Sequence, residues 1–153
     1  MKPVVLVTRK LPDAVEERLR QDYDPILNPQ DTLYSSDEII ERAKGADAII
    51  PCHTEQFTAE VIARLPESVR AIANYSVGYD HVDTAAAKAR GLIVTNTPEV
   101  LSDATAELTM MLMLGAARRA SEGERLVRTR EWKDWSPSFM VGTQVTGKRL
   151  GIV

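Results

Sequence analysis

The stretch ANYSVGYDHVD, residues 73–83, holds most of the residues whose types and spacing could do chemistry. An apolar run leads directly into Ser76, Val77 and Gly78, and a helical pattern begins shortly afterwards. A glycine lets a ligand approach the backbone because it has no Cβ atom. Free N–H groups at Val77 and Gly78 can therefore hold a carboxylate or a phosphate, assisted by the start of the next helix. The alternative is that Gly78 is only a turn residue.

Several side chains near this stretch could act in proton transfer or metal binding. Asp80 and Asp83 flank a helix start, where Asp is a typical N-cap, so we interpret both as structural rather than catalytic. His81 shares their turn and has no evident partner. His53 follows a predicted strand and is a candidate for a contact to a substrate. No His, Cys and carboxylate set has the spacing of metal ligands, so no metal site is predicted.

The first hundred residues alternate between short apolar runs and amphipathic segments. We predict helices after Pro12 and over residues 35–45, 58–65 and 83–90, and strands over residues 3–8, 24–29, 47–52, 69–76 and 92–97. Strands that alternate with helices indicate a parallel sheet. The pattern predicts an α/β domain over residues 1–98, with a flavodoxin-like, doubly wound sheet of five parallel strands. Ligands bind beyond the carboxyl ends of such strands, where residues 76–78 fall.

The pattern changes after Pro98. The following segment is predicted to form one long helix, or two helices joined near Gly115 or Gly123. Its first half is apolar on nearly all sides, so we expect it to be buried. A loop follows, and the final residues LGIV, 150–153, are predicted to begin another strand.

Composition narrows the function classes. The net charge of −3 argues against nucleic-acid binding, which needs clustered Lys and Arg. Cys52 is the only cysteine, which fits a reducing compartment. Residues 108–117, the most apolar stretch, are too few to span a membrane, and no signal peptide is evident. A cytoplasmic protein with no nucleic-acid or membrane partner is predicted.

Two motifs carry a resemblance to a known family, and it is strongest over residues 69–153. NYSVGYDHVD, followed by VTNTPEVLSDATAELTMMLMLGAARR, resembles the D-isomer-specific 2-hydroxyacid dehydrogenases, particularly the glyoxylate and hydroxypyruvate reductases. WKDWSPSFMVGTQVTGKRLGIV is similar to that family's approach to its dinucleotide-binding strand. The resemblance implies an oxidoreductase that uses NADP or NAD to reduce a small 2-oxo acid to the D-2-hydroxy acid. It also implies a homodimer. Trp132 and Trp135 are candidate interface anchors, or they only cover their own loop. Which nucleotide is used stays open.

The resemblance also implies roles for particular residues. The backbone amides of Val77 and Gly78, with Ser76 adjacent, would hold the carboxylate of the 2-oxo acid. Asn96 would contact the substrate or support a residue that does. Thr105 would approach the cofactor, unless its hydroxyl only bonds the backbone of its own helix.

In the resembled family, the strand that matches LGIV leads into a G-x-G-x-x-G turn. The resemblance therefore implies that this turn and the catalytic Arg, Glu and His lie beyond Val153. Residues 99–153 would comprise a long helix, a dimerisation region and the first strand of a truncated Rossmann domain. We expect the chain alone to be inactive. A non-catalytic module that binds a carboxylate or dimerises is the open alternative.

Overall fold

The computed structural model describes residues 1–152 and divides the chain into two compact units, Met1–Val100 and Leu101–Val153. Unit 1 contains five parallel strands in the spatial order 2-1-3-4-5. They are β1 (Val4–Val7), β2 (Asp24–Ile26), β3 (Ala48–Ile50), β4 (Ala71–Ala73) and β5 (Ile93–Thr95). The predicted five-stranded, doubly wound parallel sheet is confirmed, and each strand is shorter than its predicted range.

Four helices connect these strands: α1 (Asp13–Asp22), α2 (Ser36–Arg42), α3 (Ala59–Arg64) and α4 (Thr84–Ala89). Three of them begin at a side chain that caps the first turn. Ser35 forms the predicted capping box of α2: its hydroxyl accepts from the Glu38 N–H at 3.3 Å, and Glu38 Oε2 accepts from the Ser35 N–H at 2.8 Å. Thr58 caps α3 and Asp83 caps α4. The structural interpretation of Asp83 is therefore confirmed.

The core of unit 1 covers both faces of the sheet, as parallel strands require. On one face, Leu6, Ile49 and Ile72 sit side by side on neighbouring strands and are each 1% exposed or less. On the other face, Val5 and Val7 pack with Leu11. Alternation along β1 therefore sends side chains into two separate apolar clusters.

The carboxyl ends of α3 and α4 share one side chain. Arg90 is the C-cap residue of α4, and its guanidinium donates hydrogen bonds to the carbonyl oxygens of Ile62, Leu65 and Pro66. These carbonyls lie at the end of α3, where an α-helix leaves its last carbonyls without partners. One arginine therefore satisfies the end of a neighbouring helix.

Unit 2 contains two helices, α5 (Ser102–Ala117) and α6 (Ala120–Arg128). The two-helix alternative is confirmed, but the joint lies at residues 118–119 rather than at either glycine. Arg119 adopts a left-handed backbone with φ of 55°, and its guanidinium pairs with the Glu122 carboxylate at 2.6 and 2.8 Å. A loop crosses this joint closely: a Cβ atom on Gly142 would lie 2.5 Å from the Ala117 carbonyl oxygen.

One expectation for unit 2 is wrong. No residue of α5 is buried, although its apolar composition predicted burial. Burial depends on what packs against a helix, which composition does not specify. Residues 150–152 pair with no other strand in the described part of the chain, so the start of a strand there stays a prediction. Val153, the last residue of that prediction, lies outside the described residues.

Across residues 1–152, no helix is both long enough and apolar enough to cross a membrane.

Candidate functional site

The carboxyl ends of all five strands lie along one edge of the sheet in unit 1, because the strands are parallel. Ligands bind at this edge in open parallel sheets. Loops leave the edge from three neighbouring strands: residues 51–57 after β3, residues 74–81 after β4 and residues 96–99 after β5. We call the first two the β3 loop and the β4 loop. The predicted anion-binding residues lie in the β4 loop.

Three successive carbonyl oxygens of the β4 loop accept hydrogen bonds. The Ser76 carbonyl accepts from the Thr97 N–H at 3.0 Å, and the Val77 carbonyl accepts from the Asn96 side-chain amide at 2.8 Å. The Gly78 carbonyl accepts from the Ser76 hydroxyl at 2.7 Å. Two of these donors belong to the loop after β5, so the β4 loop is fastened to its neighbour on the sheet.

The N–H groups of the same three peptide units belong to Val77, Gly78 and Tyr79. A trans peptide directs its N–H away from its carbonyl oxygen, and the chain has no cis peptide in the described residues. Within residues 1–152 none of these three N–H groups has a protein partner. Successive backbone amides without partners are a feature of anion-binding concavities in turns. The β4 loop therefore has three successive backbone donors without a protein acceptor in the described residues.

Gly78 is exposed, and the protein's own packing does not require a glycine there. The nearest atom to a Cβ built on Gly78 would be Oδ2 of Asp80, at an ordinary contact distance of 3.6 Å. Its backbone is also outside the left-handed region that favours glycine. The missing side chain instead leaves open space beside two of the free amides.

Asn74 and His81 anchor the two ends of the β4 loop from inside. Both side chains are buried, at 3% and 8% exposure. The Asn74 amide donates to the Thr95 carbonyl at 2.9 Å, so its oxygen faces the imidazole and accepts from His81 Nε2, also at 2.9 Å. Burial lowers the pKa of His81, so the ring is neutral at pH 7. Its Nδ1 atom is then an acceptor.

An open groove of about 310 Å³ lies beside the β4 loop. The residues that line it are His53, Gln56, Gly78, Asp80 and His81. His53 is exposed and comes from the β3 loop, so the structure brings this predicted residue to the same groove as Gly78. Gly78, whose N–H has no protein partner in the described residues, and polar side chains from the β3 and β4 loops therefore line the same groove.

The β3 loop differs from the β4 loop, because its hydrogen-bond donors are paired with a carboxylate of the protein itself. Glu55 is 2% exposed, and its two oxygens accept from the Cys52 N–H at 2.9 Å and from the Thr54 hydroxyl at 3.1 Å. The Thr54 hydroxyl also accepts from Arg9. Burial raises the pKa of the Cys52 thiol, so the thiol stays protonated and is a poor nucleophile.

Arg9 extends this network to a third loop. Its guanidinium holds the Asp31 carboxylate through two hydrogen bonds of 2.7 and 2.9 Å. These bonds, with a further one from the Lys10 N–H, lower the pKa of Asp31 to about 2. The cation of Arg9 is therefore occupied by the protein itself and is not directed at a ligand.

The sequence analysis did not single out Asn74, Glu55 or Tyr79. Asn74 is a polar residue directly after an apolar strand, which could have indicated a buried anchor. Glu55 follows Cys52 by three residues, the spacing at which a carboxylate can reach back to a backbone N–H. The role of Tyr79 lies in its backbone, and its side-chain type gives no signal.

Thr105, the predicted cofactor contact, lies in the first part of α5 in unit 2 and is exposed. Its N–H donates to the Leu101 carbonyl at 2.9 Å, and its carbonyl accepts from the Thr109 hydroxyl at 2.7 Å. The Thr105 hydroxyl itself makes no hydrogen bond to the described residues. The competing structural role, a bond from the Thr105 hydroxyl to the backbone of its own helix, is therefore not observed in the described residues, although Thr109 makes a bond of that kind.

The structure thus brings Ser76, Val77, Gly78 and Asn96 together, with His53 at the adjoining groove, and places Thr105 in the other unit. No group of three or more His, Cys, Asp or Glu residues is arranged to hold a metal ion in the described part of the chain.

The chain matches a known protein family over nearly its whole length. The model for the D-isomer specific 2-hydroxyacid dehydrogenase catalytic domain matches residues 5–149. The chain is 46% identical to a glycerate dehydrogenase from Hyphomicrobium methylovorum over 151 residues, which cover 99% of the chain and 47% of that protein. It is 41% identical to a glyoxylate reductase from Korarchaeum cryptofilum (strain OPF8), covering 100% of the chain and 46% of that protein.

A solved structure shares the same fold. A protein from Polaromonas sp. JS6 66, described as a D-isomer specific 2-hydroxyacid dehydrogenase, NAD-binding, matches with a TM-score of 0.90 and 43% identity. The match covers 98% of this chain and 47% of that one. The chain therefore spans about half the length of the relatives that it matches.

Proposed function

Because this chain belongs to the D-isomer specific 2-hydroxyacid dehydrogenase family, we propose that it supplies the substrate-binding part of such an enzyme. The reaction is the reduction of a small 2-oxo acid, of the glyoxylate or hydroxypyruvate type, to its D-2-hydroxy acid, with NAD or NADP as cofactor. The observation that carries the proposal is the set of unpartnered amides in the β4 loop.

The 2-oxo acid binds through its carboxylate. The N–H groups of Val77 and Gly78 donate to the carboxylate oxygens, and bonds from neutral donors to an ionised acceptor are among the strong hydrogen bonds in proteins. This contact fixes one end of the substrate and leaves its carbonyl carbon directed away from the loop. Glyoxylate and hydroxypyruvate both present a carboxylate next to the carbonyl, so the same amides accept either.

We further propose that the chain alone neither binds the dinucleotide appreciably nor turns over substrate. No G-x-G-x-x-G motif occurs in the sequence, and Thr105 is the only predicted cofactor contact. The sequence therefore lacks the glycine-rich turn with which such folds hold a dinucleotide, which supports the proposal. Titration calorimetry of the purified chain with NADPH checks this directly, and tight binding would contradict it.

Unit 2 supports a proposal about assembly. Several large apolar residues there are exposed, including Met111 at 61% and Leu112 at 60% on α5. Trp132 and Trp135 line an apolar groove of about 270 Å³. Exposed apolar patches of this kind mark interaction surfaces. We propose a homodimer formed through unit 2 in a cytoplasmic protein, which light scattering coupled to gel filtration tests.

The carboxylate site is tested with oxalate, a stable analogue of a 2-oxo acid, titrated into the ¹⁵N-labelled chain. Oxalate should move the amide signals of residues 77 and 78. Gly78→Val should weaken oxalate binding at least about tenfold, since its side chain fills the space beside the donors. Gly151→Val is the matched control, because Gly151 has open space around it and lies in unit 2.

Both outcomes of this comparison are informative. Loss of oxalate binding in Gly78→Val with an unchanged oligomeric state supports the β4 loop as the ligand site. Equal affinity in Gly78→Val and Gly151→Val means that the carboxylate binds elsewhere, and the assignment of the site is then wrong.

A further inference from the structure

We propose that Asn96 and Ser76 are positioning residues of the carboxylate site and that the Tyr79 N–H is its third donor. Their side chains act on carbonyl oxygens of the β4 loop rather than on the ligand. By holding those oxygens, they aim and polarise the N–H groups at the other end of the same peptide units. The inference rests on the proposed function and deepens it.

Asn96 acts on the peptide unit that joins Val77 to Gly78. Its side-chain amide donates to the Val77 carbonyl oxygen at 2.8 Å, across 19 residues of sequence. The N–H of this peptide unit is that of Gly78, which has no protein partner in the described structure. The Asn96 donor is therefore one peptide unit away from the ligand.

Ser76 acts in the same way on the next peptide unit, which joins Gly78 to Tyr79. Its hydroxyl donates to the Gly78 carbonyl oxygen at 2.7 Å. The N–H of that unit belongs to Tyr79 and is also unpartnered among the described residues. The peptide unit that joins Ser76 to Val77 is held by a backbone donor instead. The Thr97 N–H donates to the Ser76 carbonyl oxygen at 3.0 Å, and the N–H of this unit is that of Val77.

Two physical effects follow from this arrangement. A hydrogen bond accepted by a carbonyl polarises the whole peptide unit and strengthens its N–H as a donor, by roughly 10–30% per bond. The bond also prevents the peptide unit from rotating. A rotated unit would present a carbonyl oxygen to the carboxylate, and two acceptors would then face each other without a hydrogen.

Amide nitrogen shifts distinguish this role from a merely structural one. Loss of a hydrogen bond at a carbonyl changes the ¹⁵N shift of the next residue. Asn96→Ala should therefore move the Gly78 nitrogen upfield and leave that of Tyr79 nearly unchanged. Ser76→Ala should move the Tyr79 nitrogen and leave that of Gly78, so each variant is the control for the other.

Oxalate affinity supplies the second readout. Each of the two variants should bind oxalate about three- to tenfold more weakly than the unsubstituted chain, because one backbone donor is then no longer held in line with the ligand. Asn96→Asp, which keeps the shape but turns a donor into an acceptor, should be at least as weak. Ser68→Ala should bind oxalate normally, because Ser68 is exposed and precedes β4, at the end of that strand opposite the loop.

The outcomes separate this inference from the proposed function. If oxalate moves none of the amide signals of residues 77–79 in the unsubstituted chain, both fail. If oxalate binds there but the variants at residues 76 and 96 match Ser68→Ala in affinity, only the positioning roles are wrong. If the Tyr79 signal alone does not respond to oxalate, the third donor is excluded.

Discussion

The two units of this molecule differ in how far their large apolar side chains are buried. In unit 1, Phe57, Ile49 and Ile72 are completely buried. In unit 2, Leu112 and Trp135 are 60% and 72% exposed, and no residue of either helix is buried. Buried apolar residues in unit 1 therefore support the sheet from which the β4 loop leaves. The apolar residues of unit 2 remain available to bind another surface.

The largest expected effect is on the core of unit 1. Phe57→Ala removes a fully buried ring, which should lower the free energy of unfolding by about 3–5 kcal/mol. Urea titration followed by circular dichroism measures this change. Both tryptophans lie in unit 2, so their fluorescence reports the unfolding of that unit. A loss below about 1 kcal/mol would mean that the core of unit 1 repacks freely.

A smaller effect is expected at a helix start in unit 1. Ser35→Ala removes the hydroxyl that accepts from the Glu38 N–H at the start of α2, and this loss should cost about 1 kcal/mol, while the backbone N–H of residue 35 can still donate to Glu38. Ser36→Ala is the matched control, because Ser36 is the next residue and makes no capping bond. Equal urea midpoints for the two variants would exclude a stabilising role for the Ser35 hydroxyl.

Acid should weaken unit 1 modestly through His81. Burial lowers its pKa in the folded state, so the unfolded chain takes up the proton first as the pH falls below about 6.5. The contribution of His81 to the free energy of unfolding is therefore fully present above that pH. It decreases as the pH falls towards the lower pKa of His81 in the folded state. His81→Asn, whose amide can still donate to Asn74, should reduce this decline in urea midpoints measured between pH 7 and 5. His53→Asn, at an exposed histidine, should retain it.

The smallest expected effect on folding is in unit 2. Leu112→Ala truncates an exposed side chain, so the free energy of unfolding should change by no more than about 0.5 kcal/mol. The same change should shift a dimer towards monomer in light scattering. A large loss of stability with unchanged mass would contradict the contrast between the units, since Leu112 would then contribute to folding rather than to association.

The elements of unit 1 could be predicted from the sequence because their signals are local. Ser35 and Asp83 lie within three residues of the N–H groups that they cap. The sequence does not indicate the joint between α5 and α6 in this way, because Arg119 adopts a left-handed backbone that its residue type does not favour. The burial expected for α5 failed because composition does not identify a packing partner.

In the candidate site, too, local features could be predicted from the sequence and contacts between distant residues could not. Gly78 after an apolar strand indicated where an anion could bind, because both features lie in one stretch of sequence. The bond from Asn96 to Val77 and the network of Asn74, His81 and Thr95 join distant positions. Such contacts depend on the order of the strands in the sheet, and a single sequence does not contain that order explicitly.

Arg90 couples the opening of two helices. Its guanidinium satisfies the last carbonyls of α3, while its own backbone ends α4. Fraying of α4 would withdraw this side chain and leave carbonyls at the end of α3 unpaired, and fraying of α3 would leave the guanidinium without its acceptors. Amide hydrogen exchange in the final turns of both helices should therefore proceed as one cooperative event. Those turns lead into the starts of β4 and β5, so such openings begin at the sheet edge opposite the β4 loop.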